Sequence, residues 1–85
     1  LTAYPQAFVL KTGDVQNVDL TSSVIAENIA SWKLSALDDK SGLGQITAQA
    51  EQAFEYSTDT GGVGHINYTV SGDGLTSSSQ VILAV

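Results

Sequence analysis

The sequence contains no cysteine, no methionine and no arginine, and its one proline is Pro5. Without cysteine, neither a disulfide nor a thiolate metal site can compensate for a small hydrophobic core. The 85 residues must therefore fold on their apolar side chains, among which are one Trp, two Phe and three Tyr. A chain of this length predicts one domain of ordinary, marginal stability.

Positive charge is also scarce. Three lysines stand against nine acidic residues, which gives a net charge of −6. A surface of this sign repels the phosphate backbone, so nucleic-acid binding is disfavoured as a function. It also repels an anionic membrane surface, and no apolar run is long enough to span a bilayer, so we expect no membrane insertion.

The sequence has no initiator methionine and no signal peptide. We therefore expect it to be a segment or a processed product of a longer protein. Small and polar residues dominate (Ser, Thr, Gly, Asn, Ala), whereas Lys and Glu are scarce, a composition typical of bacterial secreted β-modules. These features predict an extracellular or cell-surface location.

The clearest pattern lies in residues 64–85. Apolar and polar residues alternate there with a period of two. The first apolar set shares one face of a strand: Ile66, Tyr68 and Val70. Gly72 and Gly74 then interrupt the strand, and glycine can adopt the positive φ that a hairpin turn requires. The pattern predicts an antiparallel hairpin whose buried face needs a second layer.

Other short runs of β-forming residues precede this hairpin at intervals of roughly ten residues, with turn chemistry between them. They cover residues 7–10, 15–20, 29–37, 44–49 and 53–56. We predict that the run at 29–37 is a central strand, with Trp32 in the core. Together the runs predict an all-β antiparallel sandwich of about seven strands. Residues 1–6 are expected to form a linker or edge segment, and residues 7–85 a single domain.

The second half of the chain combines an aromatic strand, a glycine loop, an aromatic Tyr-Thr-Val-Ser strand, an Asp/Gly turn and a closing valine strand. The corresponding residues are 54–56, 61–64, 66–71, 72–74 and 80–85. This order resembles the immunoglobulin-like and cadherin-like tandem repeats of large bacterial secreted adhesins. The resemblance covers about residues 15–85 and implies an immunoglobulin-like sandwich.

The same resemblance implies a non-catalytic structural module that acts as a spacer or stalk. Its partners would be the neighbouring domains of the same chain, and a host or cell-surface protein. The alternative is an accessory module attached to a secreted enzyme, which binds carbohydrate or a protein. Copies of this pattern in flanking sequence, at a period near its own length, would favour the spacer.

Loop acids are the candidates for a metal site, because calcium takes about six to eight oxygen ligands, often from loops. Asp38 and Asp39 follow the tryptophan strand in a predicted acidic loop, and Asp73 lies in the hairpin turn. Asp59 is a further loop acid. In a sandwich the loops of Asp38 and Asp73 can share one pole. These acids are too few for a complete shell, so we expect no cofactor, and a calcium site would need oxygens from a neighbouring module.

Catalysis is not supported by the sequence. His65 is the only histidine, and alternation places it opposite Ile66 on an exposed strand face. No Gly-x-Ser-x-Gly elbow occurs, and residues 61–64 lack the lysine and helix of a phosphate-binding loop. Four aromatic side chains could stack on sugars: Trp32, Tyr4, Tyr56 and Tyr68. A mid-strand tryptophan is nevertheless more typical of a sandwich core. We therefore predict that the protein is not an enzyme.

Overall fold

The structure, a computed structural model, describes residues 1–85 and is all-β. It contains nine strands, two of which have only two residues, and one 3₁₀ turn, Leu20–Ser22. In chain order the strands are β1 (Thr2–Ala3), β2 (Gln6–Val9), β3 (Val15–Asp19), β4 (Val24–Ile25), β5 (Lys33–Asp39), β6 (Gln45–Gln49), β7 (Ala53–Ser57), β8 (Val63–Gly72) and β9 (Leu75–Ala84).

Two sheets contain all but the two shortest strands. The four-stranded sheet has the order β2-β9-β8-β5, and the three-stranded sheet has the order β3-β7-β6. Strands β1 and β4 pair with each other. Alternate side chains from the two sheets enter one shared core, so the architecture is a two-layer β-sandwich.

The core is a single cluster of 11 buried apolar residues. The three-stranded sheet contributes Val18, Phe54 and Tyr56, and the β8–β9 hairpin contributes Ile66, Tyr68, Val70, Val81 and Leu83. Three leucines complete the cluster: Leu10, Leu20 and Leu34. The prediction that Ile66, Tyr68 and Val70 share one buried face is confirmed, because alternation along a regular strand assigns every second side chain to the same face.

The β8–β9 hairpin has a two-residue turn, Asp73–Gly74. Both residues have positive φ, 51° and 76°, as a type I′ turn requires. Gly74 thus has the predicted conformation, whereas Gly72 is the last residue of β8 and does not. Gly72 is needed for space instead: a Cβ at this position would lie 2.5 Å from the carbonyl oxygen of Ser31.

Strand β2 runs parallel to β9, which corrects the prediction of a purely antiparallel sandwich. Gln6 pairs with Val81 and Val9 with Ala84 in the same direction. No hairpin constrains these two strands, because they come from distant parts of the sequence. Alternation specifies which face a residue occupies but not the direction of its neighbouring strand, so the sequence pattern could not reveal this pairing.

Strand β5 also differs from the prediction. The expected central strand at 29–37 is replaced by Lys33–Asp39, which lies at an edge of the four-stranded sheet. The register shifts between Leu34 and Ala36, a β-bulge that leaves Ser35 unpaired. Leu34 is therefore buried but Ala36 is exposed. The extra residue reverses the alternation, so a strict period of two, which would bury Ala36 together with Leu34, does not hold along β5.

The molecule is elongated, with principal extents of 40 × 18 × 17 Å. The long strands β8 and β9, each about 33 Å in length, follow its long axis. Near the hairpin turn, Ala3 N–H donates to Ser77 Oγ at 2.9 Å. At the other end, Val85 and Gly62 exchange two backbone hydrogen bonds of 2.8 and 3.0 Å. The chain therefore enters and leaves the sandwich at opposite ends of its long axis.

A buried polar network holds the segment before β2 on the sandwich. The Tyr68 hydroxyl donates to the Tyr4 carbonyl oxygen and lies 3.1 Å from Ser23 Oγ. Gln6 Nε2 donates to the same Ser23 oxygen at 2.7 Å. Because the Tyr68 side chain is fully buried, these partners satisfy a hydroxyl that would otherwise cost about 1–3 kcal/mol. The predicted linker or edge segment at 1–6 thus includes the strand β1 and part of this network.

Candidate functional site

The candidate metal ligands lie at two separate places in the molecule. Asp38 and Asp39 are the last residues of β5 rather than part of a loop, and Asp73 is in the β8–β9 turn. Strand β5 pairs its first residue, Lys33, with Ser71 beside that turn, so its seven residues separate the two sets by about 20 Å. The expectation that these acids share one pole is wrong, because β5 continues through both aspartates.

Each of the β5 acids has a partner within the chain. Asp38 Oδ2 forms an exposed ion pair with Lys40 Nζ at 2.7 Å. Asp39 Oδ1 accepts hydrogen bonds from Ser41 N–H at 3.0 Å, from Ser41 Oγ at 2.7 Å and from Gly42 N–H at 3.1 Å. This carboxylate closes the turn after β5. No group of three or more His, Cys, Asp or Glu side chains is positioned to hold a metal ion.

A shallow hollow of about 620 Å³ lies on the outer face of the four-stranded sheet. Small side chains line part of it, and among them Thr69 Oγ1 and Ser78 Oγ are 2.8 Å apart. Longer polar side chains line the rest: Asp38, Lys40, Asn67 and Gln80. The hollow contains no aromatic side chain. It therefore offers hydrogen bonds to a ligand but no ring on which a sugar could stack.

The candidate sugar-stacking residues do not form a common platform. Trp32 lies just before β5 at the end of the molecule that carries the Asp73–Gly74 turn, and its carbonyl oxygen accepts a hydrogen bond from Gln52 Nε2 at 3.0 Å. It is half-buried and packs against the core cluster, as predicted for a core residue, but it lies just outside β5 and not in a central strand. Tyr4 is 48% exposed and lines a different hollow. Tyr56 and Tyr68 are fully buried, so neither ring is available to a sugar.

His65 has no catalytic partner for its imidazole. Its side chain lies on the outer face of β8, half-buried. Its hydrogen bonds to the β5 turn come from the backbone, with N–H donating to Ser41 Oγ at 3.2 Å and the carbonyl accepting from Lys40 N–H at 2.8 Å. The Nε2 atom is buried without a hydrogen-bond partner. The imidazole is therefore not oriented by a carboxylate, as a general base would require.

A second unsatisfied polar atom, which the sequence did not indicate, is the hydroxyl of Tyr56. The side chain is fully buried and the hydroxyl forms no hydrogen bond of normal geometry. Burial is the largest cause that raises the pKa of Tyr56 above its ordinary value, and the nearby charge of Asp39 raises it further, whereas the Ser41 side chain and the Gly44 backbone act in the opposite direction. Alternation predicts that Tyr56 is buried, but it gives no information about what surrounds the hydroxyl.

An apolar patch occupies the outer face of the four-stranded sheet at the end where Val85 lies. One cross-strand row consists of Val9, Ala84 and Val63, and Ala7 and Ile82 pair in the next. Val9 is 88% exposed and Val63 is 62% exposed. We call these five residues the valine patch. Its members come from three strands whose pairing the sequence does not specify, so the patch could not be predicted from the sequence.

The chain contains no helix that is long and apolar enough to cross a bilayer. The chain matches none of the protein-family models scanned, and a search of curated proteins gives no match either.

Proposed function

We propose that this chain is a non-catalytic, immunoglobulin-like spacer module of a larger bacterial extracellular protein of the adhesin type. Strand connectivity supports the proposal. In an immunoglobulin-like sandwich, strands B, E and D belong to one sheet and strands C, F and G to the other. If β3 and β5–β9 receive the letters B to G in chain order, the two sheets read B-E-D and G-F-C.

The observation that carries the proposal is the parallel pairing of β2 with β9. Strand β2 leads away from the end where the chain enters, and β9 leads to the end where it leaves. Tension along the long axis therefore pulls these two neighbours past each other. The hydrogen bonds of their ladder are then loaded together, and several must break at once. This geometry suits a module that transmits tension between the domains on either side of it.

Stretching a linear array of identical copies tests the proposal. Each copy should unfold in one step that lengthens the array by about 250 Å, the extended length of 85 residues less the 40 Å folded axis. Phe8→Pro removes both the aromatic ring and a backbone N–H that faces β9. Phe8→Ala is the control, because it removes the ring but keeps this N–H and its hydrogen bond to β9. We expect Phe8→Pro to unfold at a clearly lower force than Phe8→Ala. Equal forces would show that the ladder does not carry the load.

The hollow on the outer face of the four-stranded sheet supports a second candidate function, the binding of a carbohydrate through hydrogen bonds. Asn67 and Gln80 line it beside the hydroxyl pair of Thr69 and Ser78. Chemical-shift mapping with soluble neutral oligosaccharides separates the two functions. Shifts confined to these four residues, and lost in Asn67→Ala, would favour a binding module. An unchanged spectrum at millimolar oligosaccharide would argue against carbohydrate binding and leave the spacer as the only candidate function.

A further inference from the structure

A three-residue motif with a specific chemical meaning lies in β8. Asn67, Tyr68 and Thr69 form an Asn-x-Thr triplet in which x is not proline. This triplet is the acceptor sequence for N-glycosylation, in which a sugar is joined to the asparagine amide. The other two asparagines, Asn17 and Asn28, are not followed two residues later by serine or threonine. The sequence therefore contains one acceptor triplet.

The strand geometry places both polar members of the triplet on the outer face of the sheet. Alternation along β8 directs Asn67 and Thr69 outwards and Tyr68 into the core, where its side chain is fully buried. The Asn67 amide makes no hydrogen bond within the chain and yet is not fully buried, so it contacts solvent. A substituent on this amide would therefore extend away from the core.

The surface beside Asn67 has room for a sugar. Its cross-strand neighbours are Asp38 on β5 and Gln80 on β9. The next row along the sheet consists of small side chains that line the hollow on the outer face: Ala36, Thr69 and Ser78. Hydroxyl and amide groups in this hollow can hydrogen-bond to sugar hydroxyls. A sugar on the Asn67 amide would thus lie in the hollow without displacing a large side chain.

We propose that Asn67 is an N-glycosylation acceptor and that the hollow on the outer face seats the first sugar of the attached glycan. The donor is a sugar diphosphate, carried by a lipid or a nucleotide, and a separate transferase catalyses the reaction. The Asn67 amide nitrogen attacks the anomeric carbon of the donor, so that a C–N bond forms and the C–O bond to the diphosphate breaks. The diphosphate leaves with the electron pair of that bond, and the amide loses one proton.

Transfer of the sugar has to precede folding. In the folded protein β8 lies between β9 and β5, and the Thr69 hydroxyl is 2.8 Å from Ser78 Oγ. The motif is typical of surface loops, whose backbone is free to enter an enzyme. Here the backbone is free only in the unfolded chain, as during export. The inference therefore rests on the extracellular location in the proposed function, but not on the spacer role.

Mass spectrometry of the parent protein, purified from the cells that make it, tests the inference directly. The last of the three lysines is Lys40, and arginine is absent, so cleavage after lysine gives a peptide that begins at Ser41 and includes the triplet. We expect this peptide to carry a glycan on Asn67. An unmodified peptide would overturn the inference and leave the spacer proposal intact, because the stretching experiment does not depend on a glycan.

Variants of the chain, secreted from cells that N-glycosylate their exported proteins, test the role of each residue. Asn67→Gln removes the acceptor and should abolish the added mass, whereas Asn17→Gln is the matched control and should retain it. Thr69→Ala should also abolish the added mass, and Thr69→Ser, which keeps the hydroxyl, should retain it. Circular dichroism checks that each variant is folded. A glycan that persists in Thr69→Ala would contradict recognition of the triplet.

Chemical shifts test whether the glycan occupies the hollow. The glycosylated chain is compared with the same sequence made in cells that lack the transferase. We expect the backbone amide signals of Ser78 and Gln80 to differ between the two forms, whereas those of β3, in the other sheet, stay unchanged. Identical signals from Ser78 and Gln80 in both forms would contradict a sugar seated in the hollow.

Discussion

The backbone N–H of Leu10 donates to the carbonyl oxygen of Ala84 at 2.9 Å, one residue beyond the end of β2. Leu10 is itself a member of the buried core. The ladder between β2 and β9 therefore ends on a residue that is fixed by packing as well as by hydrogen bonding. Separation of the two strands under tension has to expose this leucine to water. Burial of a leucine contributes about 1.5–3 kcal/mol, so the end of the ladder resists fraying.

The two turn glycines should respond differently to alanine. Gly74→Ala places a Cβ on a residue with φ of 76° in open space, and should cost about 1 kcal/mol. Gly72→Ala places a Cβ 2.5 Å from the Ser31 carbonyl oxygen, so the backbone must shift, and it should cost about 1–3 kcal/mol. Urea denaturation of both variants measures the order. A larger loss at Gly74 than at Gly72 would contradict this packing.

The buried tyrosines Tyr68 and Tyr56 give a matched pair of substitutions to phenylalanine. Tyr68→Phe leaves the Tyr4 carbonyl and Ser23 without their partner and should lower the free energy of unfolding by about 1–3 kcal/mol. Tyr56→Phe removes a hydroxyl that forms no hydrogen bond of normal geometry and should be close to neutral. Thermal and urea unfolding of the two variants compares them directly. Similar losses in both would show that the Tyr56 hydroxyl is hydrogen-bonded.

The pKa of Tyr56 also predicts a pH dependence. Burial, with the charge of Asp39, raises the pKa of Tyr56 in the folded state above 10.0. On alkalinisation the unfolded chain therefore loses this proton first. The corresponding stability is fully present below the unfolded pKa and is lost as the pH rises through the folded pKa.

Urea denaturation between about pH 9 and pH 11.5 measures this loss. Tyr56→Phe should flatten the decline in the free energy of unfolding relative to the parent protein. Tyr4→Phe changes an exposed ring and serves as the control, with the same decline as the parent. If the parent and Tyr56→Phe lose stability in parallel, Tyr56 does not titrate with folding.

Calcium should stabilise the isolated module only by general screening. Asp38 and Asp39 already have partners, and Asp73 lies about 20 Å away along the sheet. Calcium at millimolar concentration should then raise the melting temperature no more than magnesium at the same ionic strength. A calcium-selective rise that is lost in Asp39→Asn but kept in Asp73→Asn would reveal a site at the end of β5.

The regular parts of the fold could be predicted from the sequence. In β7 and β8, burial follows a strict alternation, so Phe54, Tyr56, Ile66, Tyr68 and Val70 could be assigned to the core. The two-layer sandwich follows from these half-buried strands, because each needs a second apolar face. The Gly74 turn also follows from local chemistry, since an Asp-Gly pair suits two consecutive positive φ angles.

The remaining features depend on contacts between distant residues. The bulge at Ser35 reverses the alternation of β5, and the strand then continues through both aspartates, which places them about 20 Å from Asp73. The role of Gly72 depends on the approach of Ser31, which no local pattern encodes. The parallel β2–β9 pairing and the valine patch likewise depend on which strands become neighbours. Periodicity within one strand does not contain that information.

The central claim is that the module resists tension because its first and last long strands are loaded in shear. Pulling one molecule in two directions tests this most directly. Load applied through residues 1 and 85 shears β2 against β9. Residues 61 and 85 lie at the same end of the molecule. Load applied through these two residues therefore separates β9 from β8 one residue at a time. We expect the unfolding force to be several times higher in the first geometry. An equal or lower force through residues 1 and 85 would contradict the account.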